Sequence, residues 1–131
     1  MIGLDTNVLV RYIMQDDARQ AAKATKLLEA LTAQAPGFIT IVSVIELVWV
    51  LSSCYDLRRD QIVQALDVIL RSEQIVVDQA EHVIRALRAY GAGKADFADC
   101  LIERTSAAAG CTQTMTFDVA AAKTAGMALI Q

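Results

Sequence analysis

Short apolar runs alternate with stretches of helical periodicity from one end of the chain to the other, and that alternation constrains the fold most. Ile2 to Leu4 is too brief for a helix and suits the start of a buried strand. Asp5 and Thr6 break it with a carboxylate and a capping hydroxyl, and Val8, Leu9, Tyr12 and Ile13 follow at helical spacing. Asp16 and Asp17 open a second helix through about Gln34, with Ala21, Ala24, Leu27, Leu28 and Leu31 on one face. Pro36-Gly37 closes it. Phe38 to Val42, β-branched and aromatic, reads as a second strand. Ser43 then caps a helix that is apolar on almost every side and is expected to be buried, Trp49 included.

The pattern continues with a helix from Arg59 to Arg71, a third strand from Gln74 to Val77, and a helix from Gln79 to Tyr90. Gly91 to Lys94 reads as a flexible turn, and a helix from Asp96 to about Ala109 stops at the C-terminal glycine signal of Gly110. Thr112 to Phe117 is a fourth strand, Asp118 opens a last short helix, and Ala128 to Ile130 adds an edge strand. Strands alternating with helices imply a parallel sheet covered on both faces. The expectation is one α/β domain over residues 1–131, a three-layer α/β/α arrangement around a four- to five-stranded parallel sheet.

A chain of 131 residues is long enough to bury a real core. At 55% hydrophobic residues it is rich in apolar side chains, yet no run approaches the roughly 18 residues that a membrane span needs. The surplus is read as a core plus an oligomer surface. No basic region precedes an apolar stretch at the N-terminus, so no signal peptide is expected and the chain is placed in the cytoplasm. Cys54, Cys100 and Cys111 share no CxxC spacing and read as small core residues of a reducing compartment, not as a disulfide frame or a zinc site.

The chemistry lies in the carboxylates. Asp5 follows the first strand, Glu46 lies early in the helix after the second, Asp96 and Asp99 begin the sixth helix, and Asp118 follows the fourth strand. Each has an ordinary explanation: Asp5, Asp96 and Asp118 suit helix caps, Ser43-x-x-Glu46 matches a capping box, and Asp99 suits the positive end of a helix dipole. Together they read differently. In a parallel sheet most such turns gather at one edge, where ligands bind, and acids collected without matching bases are costly unless a cation compensates. Hard carboxylate oxygens suit Mg²⁺ or Mn²⁺; zinc would usually bring His or Cys.

The series Leu4-Asp5-Thr6-Asn7-Val8-Leu9, then Ser43-Val44-Ile45-Glu46-Leu47, then Ala95-Asp96-Phe97-Ala98-Asp99-Cys100-Leu101-Ile102, then Thr116-Phe117-Asp118 resembles the PIN-domain ribonucleases. More narrowly, it is similar to the toxin component of VapBC toxin–antitoxin pairs. The resemblance runs over the whole chain in the family's order. It implies that Asp5, Glu46, Asp99 and Asp118 form an acidic catalytic quartet holding one or two Mg²⁺ or Mn²⁺ ions, with Asp96 as an extra acid. Thr6, Asn7, Ser43 and Thr116 match the polar residues that orient those acids or the metal-bound water. Cys100 and the Glu103-Arg104 pair depart from the small residues more usual there, without removing a ligand.

A divalent ion neutralises part of a phosphodiester's charge, lowers the pKa of bound water and orients an in-line displacement. Hydrolysis is therefore expected to leave a 5′-phosphate and a 3′-hydroxyl without help from the RNA 2′-hydroxyl. His82 is the sole histidine and reads as a surface or half-buried residue, which excludes a two-histidine acid–base ribonuclease. Setting the five candidate acids aside turns the net charge of −3 into +2, leaving Arg58, Arg59, Arg85, Arg88, Lys94 and Arg104 available to meet RNA phosphates. Few exposed aromatics are expected, so recognition should lean on RNA shape and backbone with one or two unpaired bases. A tRNA or structured RNA loop as substrate, a homodimer and a VapB-like antitoxin over the acidic cleft are what the resemblance implies.

Two rivals belong to other classes. An aspartyl-phosphate phosphatase wants a second acid two residues after the first, where this chain has Asn7, and a receiver domain would rely on Asp78, which lacks a clear lysine partner. A catalytically silent RNA-binding PIN module would have lost ligands, and this chain keeps the quartet.

Overall fold

The computed structural model describes residues 1–131. Its element order is β1 (Ile2–Gly3), α1 (Thr6–Met14), α2 (Ala18–Glu29), β2 (Gly37–Ile39), α3 (Ile41–Ser53), α4 (Arg59–Arg71), β3 (Ile75–Val77), α5 (Ala80–Ala92), α6 (Phe97–Ala108), β4 (Met115–Thr116), α7 (Val119–Thr124) and β5 (Ala128–Leu129). The class is α/β, with every strand pair parallel. The chain divides into two compact units, Met1–Ala80 and Glu81–Gln131.

In the first unit β1, β2 and β3 lie side by side in that order. Their register sets Ile2 against Gly37 and Gly37 against Ile75. The ladder ends together: Leu4 N donates to Phe38 O at 2.8 Å and Asp78 N to Ile39 O at 2.9 Å. Asp5, Thr40 and Asp78 therefore follow the same edge of the sheet. Leu9, Ile39, Leu47, Leu51, Ile62 and Leu66 are among the large side chains fully enclosed in the hydrophobic core of this unit. Gly37 lies at a close approach, since a Cβ there would stand 2.7 Å from Leu4 Cδ1 and 3.0 Å from Leu31 Cδ1 and make those side chains shift.

In the second unit β4 and β5 pair with α7 between them in sequence, and α7 packs on both. The rings of Tyr90 on α5 and Phe97 on α6 meet edge to face, centroids 5.9 Å apart. That geometry suits the ring quadrupoles, and it anchors the first turn of α6, where Asp96 and Asp99 lie.

Several boundaries differ from the sequence expectation. The strands are two or three residues long and form ladders of three and two, not one sheet of four or five. The second helix stops at Glu29, before Gln34, because Thr32 and Ala35 close a turn on each other, Thr32 Oγ1 accepting from Ala35 N at 3.0 Å. Ile41 and Val42 are helical. Thr40, not Ser43, is the N-cap of α3, its hydroxyl accepting from Ser43 N at 3.1 Å. Glu46 consequently lies in the second turn and is not part of a capping box. Val42 and Trp49 are each 62% exposed, so α3 is buried on one face only. Gly91 and Ala92, expected in a flexible turn, complete α5. Of the cysteines expected in the core, Cys100 is buried, whereas Cys54 and Cys111 are exposed. No helix is long and apolar enough to cross a membrane.

Candidate active site

Three of the five candidate acids are helix N-caps. Asp5 holds the start of α1, its Oδ1 accepting from Thr6 N at 2.8 Å. Asp118 holds α7, its Oδ1 accepting from Ala120 N at 2.8 Å and from Ala121 N at 3.3 Å. Both caps satisfy helix-end donors that would otherwise lack a partner. Asp96 occupies the N-cap position of α6 with no side-chain capping bond. The ordinary reading thus holds for Asp5 and Asp118, and it employs only one oxygen of each.

Within the first unit the sheet edge and α3 bring Thr6 to Glu46. The Thr6 hydroxyl, buried beneath the start of α1, donates to Glu46 Oε1 at 3.0 Å. Thr6 touches both candidate acids of this unit, through its backbone to Asp5 and through its side chain to Glu46. Asn7 is exposed in the first turn of α1. Ser43 is 8% exposed and packs against the Thr40 cap, with Oγ1 of Thr40 donating to its Oγ at 3.3 Å.

Within the second unit Asp96 and Asp118 are close enough to act on the charge of Asp99. Burial raises the pKa of Asp99 above the ordinary carboxylate value of 3.8, and the charges of Asp96 and Asp118 push it further in the same direction. The turn before α7 is tied locally, with Thr116 Oγ1 accepting from Asp118 N at 3.0 Å. Like charges crowded in a partly desolvated place are stabilised by a cation. The oxygen-only donors suit Mg²⁺ or Mn²⁺. As placed, however, the side chains do not close into a group of three or more His, Cys, Asp or Glu around one point.

The basic residues singled out in the sequence are spread over several elements. Arg58 and Arg59 begin α4, Arg85 and Arg88 lie on the exposed side of α5, and Lys94 precedes α6. Arg58 pairs with Asp60 at 3.2 Å and Arg104 with Glu103 at 3.5 Å. Arg11 and Lys23, which the sequence reading passed over, line a groove between α1 and α2. The signal for Arg11 was its helical spacing from Asn7, four residues on. Two aromatics are strongly exposed: Trp49, one turn beyond Glu46 and expected to be buried, and Phe117, next to Asp118 and 79% exposed. His82 is half-buried, with Nδ1 enclosed and without a hydrogen-bond partner.

No curated protein and no solved structure matches the chain. The family model of the PIN domain does, over residues 2–127. That span takes in the first four strands, all seven helices and every acid described above, and the chain accordingly belongs to the PIN domain family.

Proposed function

We propose that the chain is a Mg²⁺- or Mn²⁺-dependent endoribonuclease, the toxin of a VapBC-type pair, which hydrolyses phosphodiesters in a tRNA or a structured RNA loop. The PIN domain is a fold of nuclease type, and its members generally depend on divalent metal ions. The observation that carries the reading is Asp99, a partly buried carboxylate whose ionisation is opposed by two neighbouring acids on different elements. Capping does not account for Asp99, which lies in the first turn of α6 and caps no helix.

In this proposal Asp5, Glu46, Asp99 and Asp118 hold the ion, with Asp96 beside them. The ion, when bound, supplies a charge that offsets the phosphate's and makes water a nucleophile at neutral pH. The chain's own contribution is orientation. Thr6 holds one oxygen of Glu46, the Thr116 hydroxyl fixes the backbone of Asp118, and the two capping bonds hold Asp5 and Asp118 in rotamers set by their helices. Such supporting bonds raise the precision of a metal site. The products are a 5′-phosphate and a 3′-hydroxyl. An antitoxin that covers the acids and a homodimer belong to the same proposal.

The test is cleavage of a total RNA pool by the purified chain with Mg²⁺ or Mn²⁺, then with EDTA, beside Asp5→Asn and Asp99→Asn. Discrete metal-dependent cuts with 5′-phosphate ends, lost in both variants, support the nuclease. RNA binding without cleavage under any metal replaces it with the silent binding module, and a phosphoryl group on Asp5 that hydroxylamine or base removes replaces it with the aspartyl-phosphate enzyme. Growth arrest on induction, relieved by Asp99→Asn, tests the toxin role.

A further inference from the structure

The groove between α1 and α2 encloses about 280 Å³. Asn7, Val8 and Arg11 form the α1 wall, and Lys23, Ala24 and Leu27 face them from α2. We propose that it is a subsite for one unpaired nucleotide of an RNA strand, with Arg11 and Lys23 meeting the phosphate and the apolar wall meeting the base. The inference rests on the nuclease reading for the location of the scissile bond and deepens it by assigning the adjoining nucleotide.

Three observations support it. The first is position. Asn7 is two residues from Asp5, and Arg11 lies about 9 Å along the helix axis from Asp5 at the usual rise per residue. The groove therefore opens close to the start of α1, within reach of a strand that reacts beside Asp5.

The second is charge. The chain carries a net charge of −3, yet both ionisable side chains lining the groove are cations. Arg11 is pre-set: Nε donates to Gln20 Oε1 at 2.6 Å, while one terminal nitrogen donates to the Tyr55 hydroxyl at 3.2 Å and to Asp16 at 3.4 Å. A guanidinium held in one plane offers a stacking face as well as a charge, and its ordering cost is met before RNA arrives. Lys23 is exposed at the rim, where an ammonium meets phosphate as a point charge.

The third is size and lining. The volume falls just below the range of about 300–1,000 Å³ typical of small-molecule pockets, a scale that suits a single base. Val8 is half-buried, Ala24 is buried and Leu27 is 36% exposed, so the wall presents apolar surface of the kind a base covers. Sequence-specific RNA recognition depends on such splayed, unpaired bases.

The experiment uses the full chain carrying Asp99→Asn and a labelled single-stranded RNA pool of randomised sequence. Lys23 is exposed, so its variants keep the fold, as matched melting temperatures will verify. The expected result is that Lys23→Glu weakens binding about tenfold, that Lys23→Ala lowers the salt slope by about one, and that Lys23→Arg restores both. In the otherwise wild-type chain Lys23→Ala raises KM and leaves kcat unchanged. Unchanged affinity and slope in Lys23→Glu overturn the subsite, even where the wild-type chain cuts RNA and the nuclease reading stands. Weakened binding with no cleavage by the wild type supports the subsite while the nuclease reading falls.

Discussion

Thr6 and Glu46, forty residues apart, are joined by a 3.0 Å hydrogen bond from the Thr6 hydroxyl to Glu46 Oε1. One buried residue thereby holds an acid from α3 while its own backbone amide holds Asp5. Thr6→Val keeps the volume and removes the donor. The expected outcome is an unchanged fold with RNA cleavage slowed about tenfold, the lower end of what supporting residues contribute at metal sites. Thr6→Ser restores most of the rate, and single-turnover cleavage at saturating Mg²⁺ measures both.

Asp99 costs the metal-free protein stability. Its folded pKa lies above the unfolded value, so the native state holds its proton more tightly and stability falls as pH rises from about 3.8 through the raised value. At neutral pH Asp99→Asn is expected to raise the melting temperature of metal-free protein and to remove the further rise that Mg²⁺ gives the wild type. Below pH 3.8 the two proteins should melt alike. Thermal melts across pH, with EDTA or Mg²⁺, check the whole pattern.

Tyr55 donates to Asp16 Oδ2 at 2.7 Å, and this bond is the main reason the Asp16 carboxyl titrates below its ordinary value, with Arg11 adding to it. A lowered carboxyl pKa gives stability that is present above the unfolded value and lost as pH falls through the folded one. Tyr55→Phe should bring the Asp16 titration back toward 3.8, read by NMR of the side-chain carbonyl. The stability difference between the two proteins should shrink as pH falls through the folded value.

Gly37→Ala is expected to destabilise the first unit by about 1–3 kcal/mol, the usual cost of overpacking a core. The added methyl meets Leu4 and Leu31 side chains, and Gly37 is central in the three-strand ladder, so relief requires both leucines to shift. Denaturant unfolding measures the change, and RNA cleavage by the protein that remains folded should keep its kcat.

The sequence disclosed what local chemistry decides. Apolar runs marked the strands, Asp5, Asp17 and Asp118 announced the helix starts they cap, and the order of the acids pointed to the family. It misled where two local preferences competed. Ile41 and Val42 favour a strand, but the ladder ends at Ile39 and the Thr40 hydroxyl is placed to cap, so helix prevails. A helix apolar on almost every side, such as α3, carries only a weak periodic signal of which face points outward, hence the exposed Trp49 escaped notice. The groove beside Arg11 exists only once α1 and α2 have paired, and no one-dimensional pattern encodes it.

The caps have an evolutionary consequence. Asp5 and Asp118 each serve a helix through one oxygen, and asparagine caps as well as aspartate. A single base change can exchange that carboxylate for an amide and erase a charge while leaving the helix start intact. With these acids in the proposed metal site, loss of chemistry would be uncoupled from loss of fold, and a lineage could pass from enzyme to inert clasp in one step without an unfolded ancestor between.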